Sequence, residues 1–298
     1  MIAAMNAAAP SLRIRLLALD VDGTLTDSRH EVPAAARDAI RRVRAAGIRV
    51  MLATGRRYRD TLPVADVLGI DAPIVTASGA LVKQPPSHAT LHRAAFASGV
   101  LADVVTRIVA AGHEPILYTD SFAHGYDFHC RSLDDADATA SGAGRGVREY
   151  LGRNRHLADV RADLHVAPPA DAFAGFAMGT HAEMLALEAE LLAAHPGRLS
   201  VHVIRSPRYR DWMCEIAPAG VTKWSGVTAV AAAWGIAAAE ICAVGDDVND
   251  LPMVRNAGLG VAMGNAVSEL QAAADHVVAT HDDGGIADVA DLLLAGLA

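Results

Sequence analysis

At 298 residues, with 26 Lys and Arg against 34 Asp and Glu and a formal charge of −8, the chain is sized for one large or two modest domains and has no basic stripe for nucleic acid. With 52% hydrophobic and 20% charged residues it falls in the globular range, and the three widely spaced cysteines, Cys130, Cys214 and Cys242, fit neither a disulfide framework nor a CxxC metal site. No stretch approaches the roughly 18 uninterrupted apolar residues of a membrane span, so a reducing, cytoplasmic setting is expected.

Residues 1–12 are Ala-rich, lack the charged start of a signal peptide and read as a flexible tail. Residues 14–19 form a short apolar run that stops at Asp20, the pattern of a buried strand feeding a loop. A helix follows: Pro33 suits its first turn, Ala36, Ile40 and Val43 recur on one face, and Gly47 closes it. Residues 48–53 then predict a second strand, 59–68 a helix and 73–77 a third strand. The same rhythm returns with strands at 241–244, 258–262 and 276–278. Strands alternating with helices predict an α/β, doubly wound Rossmann-like parallel sheet whose ligands sit beyond the carboxyl ends of the strands.

Between about residues 83 and 210 the rhythm changes. A helix near 100–111, strand-like 115–118, a Gly, Ser and Asp-rich passage at 134–146, apolar 173–178, a helix at 181–194 and alternating 199–204 predict an inserted α+β domain. The small polar passage at 134–146 is expected to be mobile. The division is therefore a core of residues 13–82 and 211–298, with an insertion of residues 83–210.

Four polar clusters follow strands or open helices. In Asp20-Val21-Asp22-Gly23-Thr24 two carboxylates one residue apart point the same way, because side chains alternate at a strand end, and Gly23 allows a sharp turn. One carboxylate can attack phosphorus while the other moves a proton; a capped turn is the plain alternative. Thr54-Gly55-Arg56 offers a hydroxyl and a free amide at a helix opening, a cradle for phosphate oxygens. Lys223, at the start of a helix, can neutralise phosphate. Gly245-Asp246-Asp247-Val248-Asn249-Asp250 places hard oxygen donors at the end of a buried strand, which suits magnesium.

The order of these clusters resembles the haloacid dehalogenase (HAD) superfamily, Cof-type sugar-phosphatase-like branch (subfamily IIB), and Ala262-Met263-Gly264-Asn265-Ala266 resembles a further hallmark of that branch. The resemblance implies Asp20 as nucleophile and Asp22 as general acid and base. It implies Mg2+ on the Asp20 carboxylate, the Asp22 main-chain carbonyl and Asp246, and phosphate held by the Val21 amide, Thr54, Gly55, Lys223 and Asn249. Asp250 would orient Lys223 or a metal water. The insertion resembles the α+β cap of this branch (type C2B), which closes over the site. Relatives carry Asn-Gly-Ala where this chain has Ser78-Gly79-Ala80, and a small residue where it has Trp224, a ring expected to pack on the cap linker.

Ser78 and Arg210 are candidate substrate contacts, with Arg208, Tyr209 and Trp212 near the return from the insertion. The scattered His113, His124, His129, His156 and His165 show no metal spacing and are given no role. The expected function is a magnesium-dependent phosphatase of small phosphorylated metabolites, sugar or cofactor phosphates, working through an aspartyl-phosphate as a monomer or small homo-oligomer. A phosphomannomutase-like phosphotransferase and a non-catalytic metabolite-binding protein are the alternatives.

Overall fold

The structure is a computed structural model in which residues 14–133, 144–206 and 208–295 are described. The expected tail at 1–12 and most of the passage at 134–146 lie outside the described residues; Gly144 precedes the helix Arg145–Asn154.

Five parallel strands form the first sheet, in the order His276–Val277, Leu259–Ala262, Ile241–Gly245, Leu16–Leu19, Arg49–Leu52. The strand Leu16–Leu19 is buried on both faces, and its alternation sorts two cores. Leu17 and Leu19 pack with Ile40 and Val43 of the helix Ala34–Ala45 and with Val289 of Gly285–Ala295. Leu16 and Ala18 face Val227 of the helix Lys223–Ala233 and Met253. Each fully buried Leu contributes about 1.5–3 kcal/mol, so this short strand is a principal anchor of the sheet. Helices on both faces make the sheet doubly wound, as the alternating sequence predicts.

A second sheet of six strands runs Leu199–Arg205, Trp212–Pro218, Ala174–Gly179, Ile116–Tyr118, Phe128–Cys130, Ala158–Val160, antiparallel except for the last pair. Helices Val100–Ala110 and His181–Ala194 bury one face of it. Tyr150 and Leu151 of Arg145–Asn154 join Phe128 and Phe176 in the other core. This α+β unit is the cap of the fold.

Two details differ from the sequence reading. Residues 73–77 were expected in the parallel sheet, but the strand Ile74–Thr76 pairs antiparallel with Leu81–Gln84, and among the described residues an isolated bridge between Ala53 and Val75 ties it to the parallel sheet. The cause is the tight turn at Ala77 and Ser78, both at positive φ, which reverses the chain. The return strand Trp212–Pro218, placed with the core by the 210/211 division, pairs instead with Leu199–Arg205 and Ala174–Gly179 over its whole length or nearly so. Met213 on one of its faces and Cys214 and Ile216 on the other are buried there. Among the described residues no helix is long and apolar enough to cross a membrane.

Candidate active site

Because Leu16–Leu19 lies between Ile241–Gly245 and Arg49–Leu52, the residues that leave these three strands converge at one sheet edge. Asp20, Asp246 and Thr54 are those residues, and they line a cavity of about 550 Å³ between the two sheets. The chain crosses from one side of the first strand to the other here, the switch point at which parallel sheets open a ligand crevice.

Lys223 is the hub of the charge network. It opens its helix behind a Thr222 and Ser225 capping box, and its buried Nζ donates to Asp20 Oδ1 at 2.6 Å and Asp250 Oδ1 at 2.7 Å. Burial alone would discharge the lysine, but Asp20 and Asp250 hold its pKa above the usual range. The other Asp250 oxygen accepts from the amides of Asp246 (2.9 Å) and Asp247 (3.1 Å), so both oxygens of Asp250 are engaged and it serves to fix Lys223.

Burial pushes Asp20 up to about 7 against the pull of Lys223, with Asp250 and Asp22 adding repulsion. Burial, then Asp20 and Asp250, lifts Asp246 well above the carboxylate range. Asp20, Asp246 and Asp250 each bring an oxygen within 4.8 Å of the others. With Asp250 spent on Lys223 and two amides, Asp20 and Asp246 remain as crowded, desolvated hard donors, a set that fits a small divalent cation.

The turn after Asp20 is held on three sides. Thr24 Oγ1 donates to Asp246 Oδ1 at 3.0 Å, and Asn265 of the hallmark stretch donates to the Gly23 carbonyl at 2.8 Å. Gly23 sits at φ 76°, and a Cβ there would lie 2.2 Å from Asp246 Oδ2, so no larger residue fits.

Asp22 is held differently. Arg56 donates to both of its oxygens, at 2.7 and 2.6 Å, and His30 lies 3.5 Å away. Burial would raise Asp22, but the Arg56 hydrogen bonds and charge, then Arg208 and His30, keep its pKa below the ordinary value. Next in sequence, Arg57 turns the other way: Nη2 donates to Asn154 at 2.8 Å, Nε to Asp60 at 2.7 Å, and Nη1 lies 3.3 Å from buried Asp127. Adjacent arginines thus fasten the Asp22 turn and the cap to the same helix start.

Thr54, Gly55, Lys223 and Asn249 all line the cavity, and Asn249 Oδ1 is buried without a hydrogen-bond partner among the described residues. The Val21 side chain is fully buried in the core, which leaves its main chain for the expected role. Two expected substrate contacts are not in the cavity wall. Ser78 instead donates to Glu215 Oε2 at 2.8 Å, and Glu215 takes the place on the wall. Arg210 is exposed, with its amide donating to Glu149; Arg205, at the end of the strand Leu199–Arg205, and Arg208 line the cavity instead. Trp212 stacks on His181 at 3.9 Å, and Trp224 packs against the core beside Val227 rather than on the cap linker.

Sequence reasoning gave no role to Arg56, Arg57, Tyr118, Tyr150 or Glu215, all of which line the cavity. The available signal for Glu215 was a lone acid inside the apolar strand Trp212–Pro218, since burial raises its pKa against the Ser78 hydrogen bond.

The chain belongs to the haloacid dehalogenase-like hydrolases, whose family model matches residues 17–289. It is similar to stress response protein YhaX of Bacillus subtilis, 30% identical over 284 residues (92% of this chain, 91% of YhaX). It is also similar to phosphatase YwpJ of the same organism, 26% identical over 305 residues (94% and 100%). Among solved structures, BT1666 of Bacteroides thetaiotaomicron, studied among phosphatases of the superfamily, superposes with a TM-score of 0.76 at 23% identity, covering 97% of this chain and 99% of that one. Within the Cof-type branch the chain is a phosphoric monoester hydrolase.

Proposed function

We propose that the protein hydrolyses a small phosphorylated metabolite in two steps, with Asp20 as nucleophile. The observation that carries this reading is the convergence on Asp20: Lys223 fixes one of its oxygens at 2.6 Å, while Thr54, Gly55 and Asn249 stand around the same cavity with groups suited to phosphate oxygens. A phosphate cradled there presents phosphorus to the other Asp20 oxygen. Attack by that oxygen breaks the bond to the leaving alkoxide, which takes its proton from Asp22, and leaves an aspartyl-phosphate. Asp22 then removes a proton from the water that attacks the acyl phosphate, releasing phosphate and restoring Asp20.

Magnesium, held by Asp20, Asp246 and the main-chain carbonyl of Asp22, would neutralise the phosphate charge in both steps. Asp22 must be protonated to serve as acid, so productive binding frees it from Arg56. In this reading the insertion and the return strand together form the lid over the reacting atoms.

The test is phosphate release from a generic aryl phosphate with magnesium. Asp20→Asn is expected to lose at least about a thousandfold in kcat. Retention of full activity by that variant in a pure preparation would remove the nucleophile assignment. Transfer of phosphate to a second site on the substrate, with little free phosphate, would instead mark a mutase.

A further inference from the structure

The cavity has a core half and a cap half, and nearly every charge on its wall already has a partner. In the core half Arg56 is bound to both oxygens of Asp22, and Lys223 to Asp20 and Asp250. Thr24 donates to Asp246, the Val248 amide to Asp247, and Ser78 to Glu215. Arg57, at the seam, is divided between Asp60, Asn154 and Asp127. Two cations on the wall are left over, the guanidinium groups of Arg205 and Arg208, both supplied by the cap. Among the described residues no carboxylate forms an ion pair with either.

The connection that carries them is nonetheless firmly held. Arg205 stands opposite Trp212 at the end of the antiparallel ladder, and the Ser206 amide donates to the Asp211 carbonyl at 3.3 Å. Ser206 is buried, and its Oγ accepts from the Tyr209 amide at 3.2 Å. Tyr209 is fastened to the helix Arg145–Asn154: its Oη accepts from Asn154 at 3.0 Å, its ring meets Tyr150 edge to face at 5.2 Å, and the Arg153 guanidinium lies over it at 5.5 Å. The acids beside this connection are engaged elsewhere. Asp211 accepts from the Gly146 amide at 2.8 Å, and Glu149 accepts from Arg153 and from the Arg210 amide. A fixed scaffold thus presents two solvent-exposed arginines at the cavity and keeps the neighbouring carboxylates away from them.

An unpaired guanidinium beside an anion site can serve the phosphate being transferred or a second group on the same molecule. The first is already provided for, because Lys223, Thr54, Gly55 and Asn249 stand around Asp20 in the core half. A cavity of about 550 Å³ has room for that phosphate together with a leaving group of metabolite size. Arg208 is close enough for its charge to help lower the Asp22 pKa, which sets it on the side where the leaving oxygen takes its proton. A guanidinium offers paired N–H donors and a charge, which match a carboxylate or phosphate better than a neutral hydroxyl. We infer that Arg205 and Arg208 form a subsite for a second anionic group on the leaving half of the substrate. The preferred substrate is then a phosphate monoester that also carries a carboxylate or a second phosphate. The inference rests on the reading above in placing the reacting phosphate in the core half.

The experiment compares kcat/KM for three aryl phosphates that differ only in the para group: a carboxylate, its neutral primary amide, or a second phosphate. The magnesium-loaded full-length protein is used, as wild type and as the double variant Arg205→Gln/Arg208→Gln. At least one anionic ester is expected to exceed the amide by about tenfold, a modest factor because both guanidinium groups are exposed. Which of the two leads identifies the second group as carboxylate or phosphate. In the double variant that advantage should shrink to about threefold or less, and a thermal melt checks that the variant is folded. An amide ester that equals or beats both anionic esters, or a loss in the double variant that is the same for all three, overturns the subsite. So does an advantage that the double variant keeps in full. The same esters are also titrated by protein fluorescence in the Asp20→Asn background, with and without the arginine substitutions, so that the order is read without turnover. Anion preference in binding with no phosphate release by the wild type would sink the hydrolytic reading and keep the subsite; phosphate release with no anion preference would do the reverse.

Discussion

The core half and the cap half of the cavity are built by opposite means. In the core half the charged side chains are fixed by ion pairs and by main-chain hydrogen bonds: Lys223 is clamped between Asp20 and Asp250, and Asp250 by two amides. In the cap half, Tyr118, Tyr150 and Tyr209 come from a strand, a helix and a turn and are fixed by packing. Chemistry on phosphorus tolerates one arrangement of charges, whereas a leaving group is recognised by shape and a charge or two, which many side-chain sets can supply.

The largest test of this contrast is Asp22→Asn. If the core half admits one solution, kcat should fall roughly a hundred- to ten-thousandfold with little change in KM, because the proton carrier is lost and binding is kept. A comparable rise in KM would mean that the Asp22 and Arg56 pair shapes the binding site itself. Next comes Lys223→Met, which leaves two buried carboxylates facing each other. Urea unfolding near neutral pH should show a loss of about 3–5 kcal/mol, and an unchanged midpoint would mean that the lysine is not the hub described above.

A smaller effect separates the halves by pH. Asp20 is raised to about 7 by burial, and Asp246 is raised as well, so the folded protein holds protons that the unfolded chain has released. Their contribution to stability therefore falls as pH rises from the ordinary Asp value of 3.8 toward about 7. Magnesium binds the deprotonated carboxylates, so its upward shift of the melting temperature should be larger at about pH 8 than at about pH 6. An equal or reversed shift would put the metal elsewhere. The smallest change is expected at the seam: Ser78→Ala removes one hydrogen bond to Glu215 and should cost about 0.5–1.5 kcal/mol of stability and less than about tenfold in kcat/KM.

The same contrast explains what could be read from the sequence. The strands at 14–19, 48–53 and 241–244 stood out because a strand buried on both faces is an uninterrupted apolar run. Asp20, Thr54 and Asp246 stood out because each leaves such a run abruptly. Lys223 was legible as a cation opening a helix, a weak signal that the family resemblance strengthened, but its burial between two carboxylates is a tertiary fact. Arg56 lay inside a recognised motif, yet its bidentate hold on Asp22 depends on two strand ends meeting. Tyr118 and Tyr150 looked like ordinary core residues, and nothing local separates a ring lining a cavity from a ring filling a core. Ser78 and Arg210 were sought at the cavity because of their neighbours in sequence, but the first lies in a turn at positive φ and the second is exposed.

Glu215 is a carboxylate on a cap strand that reaches the core side of the cavity, and its place depends on the antiparallel register of Trp212–Pro218 against two neighbours. Side chains on a strand swap faces with every one-residue slip. A single inserted residue within that strand would therefore turn Glu215 away and bring Cys214 or Ile216 to the wall, leaving Ser78 with no acceptor. Length variation in this protein should consequently be tolerated in the connecting turns and selected against in this one strand, a footprint of function written in spacing.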